Sequence, residues 1–140
     1  MNSRNKAKNP QDILSNKYSN NTNYNVLLHR EKDECVAYLG SDDENIYVDI
    51  FENGDYLGGS FLSLNDDNSI NLYQTRQYHN TIVVFGDNTK TKYHSYTLIA
   101  TGNHTEPLTI EQTIPDNNKI LDIYLLDSKY NMNFDLEFHE

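Results

Sequence analysis

The sequence has no tryptophan, one cysteine, and no apolar run as long as the ~18 residues of a transmembrane helix. With Cys35 alone, an intramolecular disulfide is excluded. The first 25 residues also lack the apolar centre of a signal peptide, so the chain as given is expected to be soluble. The polar, Asn-rich stretch 16–25 fits a tether to a membrane anchor as well as it fits a frayed terminus. We therefore expect an extracytoplasmic protein, membrane-anchored or secreted, with a cytoplasmic one as the alternative.

Basic residues are scarce. Eleven Lys and Arg stand against 21 Asp and Glu, which gives a formal net charge of -10. Such a charge repels phosphate backbones, so direct nucleic-acid binding is not expected, whereas a basic protein is a suitable partner. The hydrophobic fraction of 36% lies below the roughly 45–50% that is usual. This composition predicts a thin core and many turns.

The spacing of apolar runs predicts an all-β protein. From residue 25 onward, short β-branched and aromatic runs alternate with Asn, Asp, Gly or Pro clusters. We assign residues 1–24 to a disordered or tethering segment with a short helix near 10–15, and residues 25–140 to a single β-domain. The ten predicted strands span residues 25–30, 34–39, 45–52, 55–64, 70–79, 81–85, 93–101, 108–114, 119–126 and 132–139.

The links between these strands are short, which indicates that each strand pairs with its neighbour in sequence. An antiparallel up-and-down meander of about eight to ten strands tends to close into a barrel, because closure removes the exposed edges. The last two strands would then form a hairpin around residues 128–131. Residues 82–85 are all apolar instead of alternating with polar residues, so both faces of this strand should be buried against other parts of the protein. The alternative is a two-sheet β-sandwich, reached if links 87–92 and 101–107 cross between sheets.

The outline resembles the lipocalin-like (calycin) barrels, including small bacterial lipoproteins, over residues 10–139. The shared feature is a short N-terminal helix followed by a β-meander of this length. The lipocalin Gly-x-Trp and its packing Arg are missing, since there is no Trp and no Arg after Arg76. No binding residue can therefore be transferred. The resemblance implies a ligand cavity inside a barrel and no catalysis.

Asn53-Gly54 is the strongest local signal, because this pair accepts the positive φ angles of a type I′ hairpin turn. The simplest register sets Ile50 opposite Leu57 and Ile46 opposite Phe61, which forms an apolar face.

The opposite face of this hairpin is our candidate binding surface. The chain has 11 Tyr, whose rigid apolar ring and polar tip suit recognition, although half-buried strands favour aromatic residues in any case. Missing side chains at two glycines would let a partner approach the backbone. The candidate residues are Tyr47, Phe51, Tyr56, Gly58 and Gly59.

Few residues suggest chemistry. If Arg30 pairs with Glu34, His29 stands opposite Cys35. The imidazole could then activate the thiol as a nucleophile, but no third group that would orient the imidazole is recognisable. Acidic and amide clusters such as 42–45 and 65–68 could offer oxygen ligands to Ca²⁺, but turns favour the same residues. The histidine spacings do not match zinc sites. We predict no enzyme, cofactor or metal site.

Two functional hypotheses remain. The first is a non-enzymatic binding module that holds a small apolar or amphipathic ligand. The second is an intracellular immunity or inhibitor protein that binds a basic protein through its acidic surface.

Overall fold

The computed structural model describes residues 9–140, so the first eight residues of the predicted disordered or tethering segment 1–24 lie outside the described part of the chain. Strands make up 57% and helix 6% of the described residues, and ten strands form three antiparallel sheets there. The all-β prediction and the number of strands are confirmed. Within residues 9–140, no helix is long and apolar enough to cross a membrane.

The one helix of the described chain, α1, covers Pro10–Lys17. Asn9 caps its start, because the side-chain Oδ1 accepts a hydrogen bond from the Asp12 N–H at 2.9 Å. The strands are β1 Asn25–Lys32, β2 Cys35–Ser41, β3 Asn45–Glu52, β4 Asp55–Ser63, β5 Ser69–Thr75, β6 Asn80–Asp87, β7 Ser95–Thr101, β8 Leu108–Thr113, β9 Lys119–Leu126 and β10 Asn133–His139.

The three sheets lie in layers. The first sheet has the order β1-β2-β3-β4, the middle sheet β5-β6-β9 and the third sheet β10-β7-β8. Val83 and Phe85 of β6 pack in one core with the first sheet, while Ile82 and Val84 pack in a second core with the third sheet. The middle sheet is therefore covered on both faces, as its non-alternating strand predicted.

The prediction of a closed up-and-down barrel is wrong, because the three sheets form a sandwich-like arrangement. A strand of a closed barrel buries only the face that points into the barrel. Strand β6 carries apolar side chains on both faces, so each face needs another sheet packed against it. The interior that the barrel hypothesis assigned to a ligand is filled by two side-chain clusters.

The prediction that the last two strands form a hairpin is also wrong. Strand β9 pairs with β6 and β10 pairs with β7, so the link between β9 and β10 crosses from the middle sheet to the third. Asn80 fixes this link, because its Nδ2 donates to the backbone oxygens of Asp127 and Tyr130. Of the two links expected to cross in a sandwich, the one after β6 does so, and the one after β7 joins strands of the same sheet.

The Asn-Gly turn is confirmed by positive φ angles of 53° at Asn53 and 82° at Gly54. The predicted register holds only next to the turn, where Phe51 pairs with Tyr56. Leu57 then forms a bulge in β4, so that Ile50 pairs with Gly58, whose φ is +140°. The slip moves β4 by one residue and leaves Phe61 on the outer face, 61% exposed. The prediction that Phe61 faces the core is therefore wrong.

Candidate functional site

A groove runs between α1 and the outer face of the first sheet, with a volume of about 580 Å³. On the helix side, Gln11, Leu14, Ser15 and Tyr18 follow the spacing of one helix face. We call this cavity the tyrosine groove. It is lined by Gln11, Leu14, Ser15, Tyr18, Asn21, Tyr24, Asn25, Val26, His29 and Tyr38.

Asp49 fixes the helix to the sheet. Its fully buried carboxylate accepts hydrogen bonds from Lys17 Nζ at 2.5 Å, from the Tyr18 hydroxyl at 2.6 Å and from the Tyr56 hydroxyl at 2.7 Å. Burial, followed by the hydrogen bond to Asp49, raises the pKa of Tyr18 and Tyr56 far above the ordinary value for tyrosine. Both phenols therefore stay protonated donors, and the end of α1 is held in place.

A second carboxylate holds the segment that follows α1. Asp42 accepts from the Tyr47 hydroxyl at 2.6 Å and from Asn21 Nδ2 at 2.8 Å. Burial acts to raise the pKa of Asp42, but hydrogen bonds from Tyr47, Asn21 and the N–H groups of Glu44 and Asn45 outweigh burial and hold that pKa well below its usual range.

Stacked rings form the wall of the groove. Tyr18 and Tyr24 stack with centroids 3.8 Å apart, and Tyr47 meets both rings edge-on. The Tyr24 hydroxyl is buried without a hydrogen-bond partner and lies over Gly40, where a Cβ would collide with it. Only glycine at position 40 leaves room for this ring.

The other end of the groove has an imidazole and a phenol. His29 and Tyr38 are directly paired across β1 and β2, and their rings stack with centroids 5.5 Å apart. Burial, and then the charge of Glu31, raises the pKa of Tyr38. The groove thus offers flat apolar ring faces beside neutral hydroxyl and amide groups, and no carboxylate lines it.

The five predicted site residues lie in and around the hairpin β3–β4. Phe51 is buried between Tyr38 and Tyr56, and Tyr47 packs against the groove tyrosines. The two glycines face opposite ways, since Gly58 contacts Tyr73 of the middle sheet and Gly59 contacts Asp49 and Lys17.

Side chains of the chain itself fill the space at both glycines. A Cβ at either position would collide with a neighbouring oxygen atom. Tyr47, Phe51, Tyr56 and Gly59 share the outer face with the tyrosine groove, but the groove itself lies toward β1 and α1.

The proposed His29–Cys35 pair is not formed. The register of β1 and β2 sets His29 opposite Tyr38 and Cys35 opposite Lys32. Cys35 is fully buried, and burial, followed by the charge of Glu52, raises the pKa of its thiol to about 11. A buried thiol of this pKa is a poor nucleophile at neutral pH.

Across residues 9–140, no three His, Cys, Asp or Glu side chains come close enough together to hold a metal ion. The two acidic clusters 42–45 and 65–68 do approach one another at one end of the first sheet, where the backbone N–H of Leu64 donates to the backbone carbonyl oxygen of Glu44 at 2.8 Å.

Sequence reasoning missed the contribution of residues 14–29 to the groove. Tyr18 and Tyr24 lie in the stretch that the sequence assigned to an N-terminal segment, and nothing local marks them as partners of Asp49 or Gly40. One signal was present. Gln11, Leu14, Ser15 and Tyr18 recur at helical spacing, which predicts a packed helix face.

No family model, curated protein or solved structure matches this chain. The resemblance to lipocalin-like proteins accordingly stays a prediction.

Proposed function

We propose that the protein is a non-enzymatic binding module whose ligand is a small, neutral, amphipathic molecule held in the tyrosine groove. The observation that carries the proposal is the groove itself. Its volume of about 580 Å³ falls within the roughly 300–1,000 Å³ of small-molecule sites, and aromatic rings line it beside a few polar groups.

The chemistry of the lining selects the ligand class. Ring faces of Tyr18, Tyr38 and His29 favour a flat apolar portion, and the amides of Asn21 and Asn25 favour a hydrogen-bonding edge. The groove has no Lys, Arg, Asp or Glu, so a charged ligand would lose its hydration there without gaining a permanently charged partner.

The test uses the fluorescent neutral amine N-phenyl-1-naphthylamine as the probe and places a charge at one rim of the groove. Val26 lines the groove, is 47% exposed and lies on edge strand β1, so a Val26→Asp substitution leaves both cores intact. We expect the wild type to bind one probe molecule and Val26→Asp to raise Kd at least ~10-fold, equivalent to ~1.4 kcal/mol.

Leu27→Asp is the matched control. Leu27 is the next residue, 39% exposed, and does not line the groove. The same charge at this position should leave Kd within about twofold. Equal losses in the two variants, or no saturable binding by the wild type, would reject the groove as the site.

One observation favours a second function, the binding of a basic protein. Turn residues 42–44 and link residues 65–68 bring five exposed or partly exposed carboxylates of Asp and Glu to one end of the first sheet, whose outer face also carries the 61% exposed ring of Phe61, and the chain carries a net charge of -10. Acidic groups and an exposed aromatic ring on the same sheet suit a partner rich in Arg and Lys.

A salt titration tests this second function. An Arg- and Lys-rich peptide should bind the wild type less tightly as ionic strength rises, and Asp43→Asn/Glu44→Gln should weaken binding several-fold at low salt. Asp135→Asn/Glu137→Gln, two exposed carboxylates of the third sheet, controls for net charge. If both double variants weaken binding equally, the peptide senses only net charge and the surface is not a specific site.

A further inference from the structure

A small cleft opens along β9, at the edge of the middle sheet, and all three sheets contribute to it. Its volume is about 250 Å³. The lining residues are Arg30, Glu31 and Lys32 of β1, Gln112 of β8, and Asp122, Ile123 and Tyr124 of β9. We call this cavity the edge cleft. It shares no lining residue with the tyrosine groove, so the two sites can be tested separately.

The floor of the edge cleft is a chain of hydrogen-bonded polar side chains. The Tyr96 hydroxyl donates to Asp122 Oδ2 at 2.6 Å and lies 2.6 Å from the Tyr124 hydroxyl. Tyr96 is fully buried, and burial, followed by the charge of Asp122, raises the pKa of its phenol, which therefore stays a protonated donor. Among the described residues only Tyr96 donates to the Asp122 carboxylate, so Oδ1 is left for the cleft.

Arg30 places a positive charge beside this carboxylate. Its Nε donates to the backbone oxygen of Leu121 at 2.9 Å, and Leu121 directly precedes Asp122 in β9. No acceptor among the described residues bonds the two terminal nitrogens of the guanidinium, and Arg30 forms no ion pair with Asp122 there. Lys32, two residues further along β1, shares the strand face of Arg30. Free donors of Arg30 and a free oxygen of Asp122 thus share one small cavity without meeting.

We infer that the edge cleft binds a small zwitterion, whose carboxylate is held by Arg30 and Lys32 and whose ammonium group is held by Asp122. A guanidinium with both terminal nitrogens free suits a carboxylate, because the two groups match in shape and charge. A partly buried carboxylate favours a cationic partner, because burial removes part of its hydration. One molecule that carries both charges satisfies both groups at once.

Charge and size select the class of ligand. Two cations and two anions line the edge cleft, so its formal charge is zero in a chain whose net charge is -10. A simple anion would face Asp122 without a counter-charge, and a simple cation would face Arg30 in the same way. The volume of about 250 Å³ lies below the roughly 300–1,000 Å³ of drug-sized ligand sites, which limits the ligand to the size of a small amino acid.

Binding should also keep Asp122 ionised. Burial raises the pKa of Asp122, while the hydrogen bond from Tyr96 and the charge of Arg30 oppose this rise without cancelling it. An ammonium group at Oδ1 adds a second positive charge beside the carboxylate. The ligand thereby supplies the stabilisation that Arg30, bonded to the neighbouring backbone oxygen, does not complete.

The test follows backbone amide chemical shifts of the full chain while glycine, sodium acetate or methylammonium chloride is added at constant ionic strength and neutral pH. Acetate lacks the ammonium group of glycine, and methylammonium lacks the carboxylate. Glycine should shift the amides of residues 112 and 122–124 saturably, with a Kd at least ~10-fold lower than that of either singly charged probe. Equal Kd values for glycine and one of these probes, or no saturable shift with glycine, would overturn the proposal.

Variants assign the shifts to the edge cleft. Asp122→Asn keeps an acceptor for Tyr96 but removes the charge, so the Kd for glycine should rise at least ~10-fold. Asp127→Asn makes the same change at an exposed residue just beyond the end of β9 and outside the cleft, and it should leave Kd within about twofold. Similar Kd values for the two variants count against the site.

Arg30→Gln decides if Asp122→Asn does not fold, because Arg30 is exposed on edge strand β1. It should raise the Kd for glycine at least ~10-fold, whereas Arg76→Gln, at an exposed cation outside the cleft, should leave it unchanged. Saturating glycine should also leave the binding of N-phenyl-1-naphthylamine to the wild type unaltered. Displacement of that probe by glycine would place the glycine site in the tyrosine groove and reject the edge cleft.

Discussion

Phe85→Ala is expected to lower the free energy of unfolding by about 3–5 kcal/mol, the range seen when a buried aromatic side chain is truncated in a packed core. Phe85 is 1% exposed and packs between the middle and first sheets with Val48, Leu121 and their neighbours. The surrounding side chains belong to two stacked sheets, which cannot collapse far enough to fill the cavity. Urea unfolding of both proteins, followed by circular dichroism, measures the difference.

Phe61→Ala is the matched control, because it makes the same chemical change on the outer face of the first sheet. Phe61 is largely exposed, so its loss should alter stability by no more than about 0.5 kcal/mol. If a hollow barrel were correct, Phe85 would border a ligand cavity, and its truncation would cost little more than that of Phe61. Similar values for the two variants would therefore contradict the layered core.

Asp49→Ala is expected to lower the free energy of unfolding by about 3 kcal/mol and to release α1 from the first sheet. The variant removes one acceptor shared by Lys17, Tyr18 and Tyr56, and hydrogen bonds to a charged group contribute about 1.5–3 kcal/mol each without being additive. Lys17 is partly exposed and regains water, which limits the loss. Urea unfolding gives the energy, and backbone amide chemical shifts of residues 10–18 report the helix.

The control for Asp49 is Asp55→Ala in the same hairpin. Asp55 is exposed and accepts a hydrogen bond from the Tyr78 hydroxyl alone among the described residues, so we expect a loss below about 1 kcal/mol and unchanged shifts in α1. The tyrosine groove should also lose its probe in Asp49→Ala and keep it in Asp55→Ala. A helix that stays ordered after Asp49→Ala would show that Asp49 does not hold the groove together.

Local patterns predicted the elements of this fold well. All ten strands form close to their predicted ranges, because β-branched runs and turn residues act within a few positions of one another. Pro10 and the Asn-Gly pair also marked a real helix start and a real hairpin turn. The double burial of β6 followed from its lack of alternation.

Pairing between distant strands was beyond the same reasoning. Short links suggested that β9 and β10 form a hairpin, but apolar side chains on both faces of β6 require a partner layer on each side, and that requirement separates them. One bulged residue near Gly58 was enough to turn Phe61 outward. Four of the five candidate residues lie on the same sheet face as the tyrosine groove, while the groove depends on contacts of the end of α1 with β3 and β4 that no short window contains.

The double cover of the middle sheet divides the molecule into parts that open at different free energies. Amide hydrogens of β6 lie between two cores, so their exchange with solvent requires most of the structure to unfold. Helix α1 buries chiefly Leu14 and is held by a few side-chain contacts, so it can detach while the three layers persist. Local fluctuation of this short helix therefore opens and closes the tyrosine groove while the three sheets beneath it stay folded.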